Sequence, residues 1–228
     1  MISSIYKKSF SVLASKPLRL WGISLLSIFL SMAAYILFGV IPGAAIAIGL
    51  LLETSMTLIY LNGFLGQEVK TLQLFDCFRS WRTIGRVLGG MAWMLMWVLL
   101  WSLIPVAGIV FGIIKFYSYR LTPYILMKEP EVKATEAYKL SEQRTMGYKG
   151  KMFWADVLPV LAYIAAVLIL SAFSAIPYLG WLFALVLAVL VVAFAVFLPL
   201  FLGLVQSAFY VEIQKSLDPP AAGMCWYE

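Results

Sequence analysis

The chain has 228 residues, of which 63% are hydrophobic and 12% are charged, and it carries a net charge of +6. Soluble domains carry roughly 25% charged residues, so a water-soluble globule of this size would have too little polar surface, and lipid is the solvent that suits the composition. No histidine is present, which removes Ser-His triads, Cys-His pairs and imidazole metal ligands; the basic residues sit in short segments between apolar runs, a membrane pattern and not a nucleic-acid one.

Lys7, Lys8, Lys16 and Arg19 precede a first apolar run, Leu20 to Ile41. That run exceeds the roughly 7–15 residues of a signal-peptide core, and a second run follows at once, so a retained span is expected. Spanning takes roughly 20 apolar residues, and Leu20–Leu65 holds two such lengths with a break at Pro42-Gly43. The second length contains Glu53, in Leu52-Glu53-Thr54-Ser55 with Thr57 nearby. An ionisable group inside a bilayer is costly and usually faces the bundle interior. Glu53 therefore reads either as a cation-binding or proton-relaying carboxylate, or as a structural partner of Lys115 or Arg120, or as a protonated, hydrogen-bonded acid. It lies about 16 Å along a helix from Pro42, and Lys115 lies about 10 Å from Gly108 on the same reckoning. Glu53 is expected to point into the bundle and lie near Lys115, or near Arg120 if the fourth helix shifts.

The polar stretch Gly66–Arg86 carries Lys70, Arg79, Arg82 and Arg86. Leu72, Phe75 and Phe78 recur every three residues, which predicts an interfacial helix over Glu68–Arg86 whose arginines Arg79, Arg82 and Arg86 meet anionic headgroups. Val87–Met127 again holds two spans, broken at Pro105–Gly108. Trp93, Trp97 and Trp101 form a stripe at four-residue spacing, suited to a flat or cationic ligand or to packing and interfacial anchoring. Gly108 and Gly112 form a GxxxG pair that favours close helix approach. Lys115 and Arg120 fall within the fourth span. The stretch Lys128–Lys151 adds six cations, and a helix from Pro130 through Ala134, Ala137, Leu140 and Ser141 to near Gly147 is expected. Met152–Tyr210 contains Asp156, read as an interfacial structural acid, and Pro159 and Pro199, which mark kinks or a gate. Its break is Ile176-Pro177-Tyr178-Leu179-Gly180.

The three breaks resemble one another, as a threefold hairpin repeat or as three independent Pro-Gly turns would. None carries a charge, while the segments between runs are basic. The positive-inside rule then puts the breaks outside and the basic segments in the cytoplasm. The expected fold is all-α: one polytopic membrane domain, residues 1–228, with six transmembrane helices in three hairpins and interfacial amphipathic helices. The spans are expected at about residues 20–41, 43–65, 87–105, 108–127, 153–176 and 181–210, in a bacterial plasma membrane with both termini cytoplasmic. Cys77 and Cys225 then lie in a reducing compartment, where a disulfide is not expected.

Gly112-Ile113-Ile114-Lys115-Phe116-Tyr117-Ser118-Tyr119, followed by Pro123-Tyr124-Ile125-Leu126, then Ala137, Ser141, Met146-Gly147, Lys149 and Phe153, and finally Pro199 and Ala208-Phe209-Tyr210, resemble the central signature of a bacterial integral membrane family catalogued as domain of unknown function 975. The resemblance covers roughly residues 70–213. That family is distantly similar to the membrane domains that accompany glycerophosphodiester phosphodiesterases, which implies a lipid or envelope setting and brings no catalytic residues.

The expectation that follows is a non-enzymatic membrane protein of envelope or lipid homeostasis. It would act through the bilayer's own lipids, anionic ones included, or through a protein partner or a second copy of itself. No metal, no cofactor and no nucleic acid is expected. The alternatives are a small transporter with a midplane site at Glu53 and Lys115, for which a polar cavity around Glu53 is the discriminating feature, and an intramembrane lipid enzyme.

Overall fold

The computed structural model describes residues 1–15, 17–105, 107–174, 176, 178 and 180–217. Lys16, Val106, Pro177, Leu179 and Cys225 lie outside the described residues, as do the side chains of Arg19 and Pro42. Among the described residues the chain is all-helical, without strands. The helices are α1 (Ile2–Ser15), α2 (Pro17–Phe38), α3 (Pro42–Phe64), a 3-10 helix (Thr71–Phe78), α4 (Trp81–Ser102), α5 (Gly108–Ser118), α6 (Thr122–Lys128), α7 (Ala137–Arg144), α8 (Lys149–Ser174) and α9 (Gly180–Leu217). Five of them, α2, α3, α4, α8 and α9, are long and apolar enough to cross a membrane.

Local chemistry explains most of the boundaries. α3 carries a proline in its first turn, where the missing N–H costs nothing. Just past its end Gly66 sits at φ 73°, a left-handed position that suits glycine. The Ser80 side chain caps α4 by accepting the Thr83 N–H at 3.2 Å.

That cap also corrects an expectation. Glu68–Arg86 is not one interfacial helix: a 3-10 helix ends at Phe78 and α4 starts at Trp81. The 3-10 helix turns Leu74 and Cys77 into the core and leaves Leu72 and Phe75 outside. Cys77 is a free, buried thiol 3.7 Å from the Met127 sulfur, and burial pushes its pKa up. The second interfacial helix begins at Ala137 and not at Pro130, because residues 130–136 form turns.

The fourth apolar run is two short helices, α5 and α6, rather than one continuous span. Together they still retrace α4. Gly112 lies against Ser102, where a Cβ would fall on the serine hydroxyl, and Leu126 lies against Gly90. The Arg86 guanidinium reaches the carbonyls of Leu126 at 3.0 Å and Glu129 at 2.7 Å. Residues 86 to 102 of α4 measure about 24 Å at 1.5 Å per residue, so the interrupted segment covers nearly the whole helix beside it.

The core gathers at one end of the bundle. There α9 buries Leu200, Phe201, Leu204, Val205 and Phe209, α3 buries Leu52, Ile59 and Leu61, and α6 is enclosed from Thr122 to Leu126. The far halves of α8 and α9 pack on each other through stacked Tyr163 and Phe194 (3.8 Å between ring centroids) and Phe173 and Phe183 (5.4 Å).

Helix α1 docks on the buried end. Ile5, Ser9 and Leu13 recur every four residues and are buried, and the rings of Tyr6 and Phe10 lie 5.3 and 4.9 Å from that of Phe201. Pro159, inside α8, has no N–H and so leaves the Ala155 carbonyl without its helical partner. The Tyr6 hydroxyl fills the gap, donating to that carbonyl at 2.5 Å. Tyr6→Phe keeps the ring and strands the carbonyl beside the fully buried Ala155. It is expected to destabilise the protein by about 1–3 kcal/mol, read as a lowered midpoint of unfolding in detergent.

Candidate functional site

Between α5 and α6 the helix is broken at Tyr119, Arg120 and Leu121. Pro123 supplies no N–H and disfavours helical geometry at the residue before it. In a bilayer, backbone groups released in this way need internal partners, and neighbouring side chains supply several. The Ser118 carbonyl accepts from the hydroxyls of Ser141 at 2.9 Å and Thr145 at 3.0 Å. The Leu121 N–H donates to the Ser141 oxygen at 3.1 Å. The Tyr119 carbonyl accepts from the Thr122 hydroxyl at 2.6 Å, and the Arg120 carbonyl from the Gln206 amide at 3.0 Å. Ser118, Thr122, Ser141 and Thr145 are all fully buried.

Ion pairs surround the break. Lys115 Nζ donates to Glu142 Oε1 at 2.6 Å and lies over the Trp101 ring, 4.8 Å from its centroid. Arg120 pairs with Asp156, whose same oxygen accepts from the Tyr117 hydroxyl at 3.1 Å. Arg144 grips Glu129 through two contacts of 2.5 and 2.9 Å. Lys115 is therefore paired with Glu142 and not with Glu53. The fourth segment is not one continuous helix, and Glu142, within the interfacial helix expected from Pro130 to near Gly147, lies on α7, packed back against α5. Asp156 is enclosed with Arg120, both side chains being at most 15% exposed.

The tryptophan stripe is used for packing. Trp93 meets Trp97 edge-on at 6.4 Å, and Trp97 stacks on Tyr138 at 6.0 Å. The cation over Trp101 is the protein's own Lys115.

Glu53 lies elsewhere, in a slot of about 600 Å³ between α2, α3 and α9. Ser24, Ser27 and Ser31 line it from α2, Thr57 and Tyr60 from α3, and Pro199, Gly203 and Gln206 from α9. Gly203 has no Cβ, and this lets the Tyr60 ring lie flush on α9. The Tyr60 and Ser24 hydroxyls share a hydrogen bond of 3.1 Å. The Glu53 side chain is exposed, and the slot opens onto it. It makes no ion pair or hydrogen bond among the described residues. The Thr54 and Thr57 hydroxyls are bonded to carbonyls of α3 itself, at 2.8 and 2.7 Å. Arg120 is the cation whose field reaches Glu53, and its guanidinium is already held by Asp156.

The three arginines proposed for headgroup contact separate. Arg79 and Arg82 are exposed beside Trp81 and Leu72, themselves 87% and 79% exposed. Arg86 caps the end of α6 instead.

Compared with known proteins, the chain matches no family model, no curated protein and no solved structure. Sequence reasoning missed Tyr6, Glu142, Thr145 and Gln206. The four-residue spacing of Ile5, Ser9 and Leu13 was the available signal for α1, and nothing local to Glu142 or Gln206 announces a partner so distant in the chain.

A double-mutant cycle separates the two pairings. Lys115→Ala with Glu142→Gln should be non-additive by at least about 0.5 kcal/mol, whereas Lys115→Ala with Glu53→Gln should add within about that margin, measured by unfolding in detergent.

Proposed function

We propose that this chain is a six-span, non-enzymatic protein of the bacterial plasma membrane, with both termini cytoplasmic, that serves envelope or lipid homeostasis by holding a lipid-soluble ligand. The observation that carries this reading is the slot: an unpaired carboxylate at membrane depth, flanked by hydroxyls, with exposed apolar Met32, Tyr35 and Ile46 along its edge. Ligand sites are typically concave, mostly apolar and marked by a few placed polar groups. The missing histidine favours binding over catalysis, and the resemblance to domain of unknown function 975 favours the envelope setting.

The six-span count is supported by the way α5 and α6 retrace α4, and by buried cations in the fourth span that are neutralised internally. Transport of a small substrate is the second reading. It is favoured by the interrupted helix, a device that transporters use beside midplane sites, and by Gln206, which lines the slot and bonds to the break.

Reporter fusions after Gly66, Gly147 and Lys215 should read cytoplasm, and fusions at Gly43 and Leu179 should read outside. An external signal at Gly147 would sink the three-hairpin topology. Arg79 and Arg82 should hold anionic headgroups, each contributing about 1 kcal/mol. Changing both to Gln should lower retention of anionic lipid in native mass spectrometry, while Arg86→Gln should lower thermal stability instead. Unchanged lipid retention would reduce Arg79 and Arg82 to solubilising charges.

A further inference from the structure

We propose that the slot is a site for a single-chain organic ammonium compound, with its cation on Glu53 and its hydrocarbon along the apolar edge toward Met32 and Ile46. The proposal deepens the ligand-holding reading above and rests on it.

The charge argument comes first. An isolated carboxylate inside a bilayer is costly and is normally paired or satisfied. The other buried charges around it are compensated: Lys115 by Glu142, Arg120 by Asp156 and Arg144 by Glu129. Glu53 alone of these acids faces an accessible cavity with no cation in contact, so the complement it lacks is one positive charge.

The walls then choose among cations. A small inorganic ion gives up its water only for a cage of several oxygens, which hard cations require. Among the described residues Glu53 is the only acid in the lining, which also includes the apolar Leu50, Met56 and Leu202. An organic ammonium needs one counter-charge and is content with carbon around it. Ser27 and Ser31 place hydroxyls on the facing helix.

Size and shape point the same way. The slot's volume, about 600 Å³, falls within the roughly 300–1,000 Å³ of small-molecule sites. Along α3 it runs from Ile46 to Tyr60, about 21 Å, with Glu53 midway. A cation at Glu53 therefore leaves about 10 Å of slot on the Ile46 side, the scale of a short alkyl chain. The opposite end closes on the Ser24–Tyr60 hydrogen bond and on Gln206, so the chain leads outward past Met32.

The test uses the full-length protein in nanodiscs of uncharged lipid and titrates hexyltrimethylammonium, whose charge is permanent, against uncharged hexyl glucoside. The ammonium probe should bind saturably by calorimetry and the glucoside weakly. Glu53→Gln should weaken the ammonium probe about tenfold, and Ser27→Leu, which fills the slot and keeps the carboxylate, should weaken it as well. Circular dichroism and a single symmetric elution peak establish that both variants fold. Sodium chloride replaced by choline chloride should compete, and sodium alone should not. Equal binding of the ammonium probe to wild type and Glu53→Gln overturns the ammonium assignment. If Ser27→Leu still blocks both probes in that case, the slot remains a ligand site and only the cation is wrong. If neither probe binds and Ser27→Leu changes nothing, the assignment and the ligand-holding function fall together.

Discussion

One hydroxyl group organises the centre of this protein. Ser141 Oγ donates to the Ser118 carbonyl and accepts the Leu121 N–H, so it closes the gap in the broken fourth segment from both sides. Few side chains do this, because the gap presents an acceptor and a donor together and only a group with both capacities answers both. Burial makes the arrangement stringent. Ser141 and Ser118 are fully enclosed, and an unmet backbone group there costs about 1–3 kcal/mol. Helix α7 must therefore fold back against the break. Once it does, Glu142, the next residue, is delivered to Lys115, and Arg144, a turn nearer its end, to Glu129.

The same geometry explains why Glu53 is left without a partner. Arg120 is the cation whose field reaches it, and Arg120 is taken by Asp156 of α8, while Lys115 is taken by Glu142 of α7. The slot and the break are nevertheless joined. Gln206 lines the slot from α9 and gives its amide N–H to the Arg120 carbonyl. A rotation of that side chain changes both places at once, which is the minimum a ligand in the slot would need in order to be felt at α6.

The all-helical, membrane-length character was legible from composition and run length, and the close approach at Gly108 and Gly112 from their spacing. Helix interruption was not. Pro42 and Pro105 marked ends of runs correctly, but Pro123 falls inside an apolar run, where run length outweighs it. The Glu53–Lys115 pairing failed for a related reason: adding 1.5 Å per residue assumes an unbroken helix and ignores acids outside the spans. Glu142 lies 27 residues beyond Lys115, in a stretch read as an interfacial helix outside the spans. Periodicity describes one helix at a time, and long-range partners such as Tyr6 for Ala155 belong to no periodicity. Glu53 was legible as a residue of interest because a lone acid in an apolar run is conspicuous at any scale.

The two ends of the molecule are held by different physics. Between helices in lipid there is no hydrophobic driving force, since the surrounding tails are as apolar as leucine. The far halves of α8 and α9 accordingly rely on shape, with Tyr163 flat on Phe194 and Phe173 on Phe183, and their remaining apolar surface faces outward. At the other end the specific contacts are polar. Tyr6 supplies the Ala155 carbonyl freed by Pro159, Thr122 the Tyr119 carbonyl freed by Pro123, and Arg86 the last carbonyls of α6. A proline in a membrane helix thus creates an address: it exposes one carbonyl at one depth, and only the element bearing a donor at that depth can dock there. α1 is located by this means, although it is itself too short and too polar to cross a bilayer. The fold's specificity comes from the positions where helical hydrogen bonding is interrupted, and the slot on Glu53 lies beside the third such proline, Pro199.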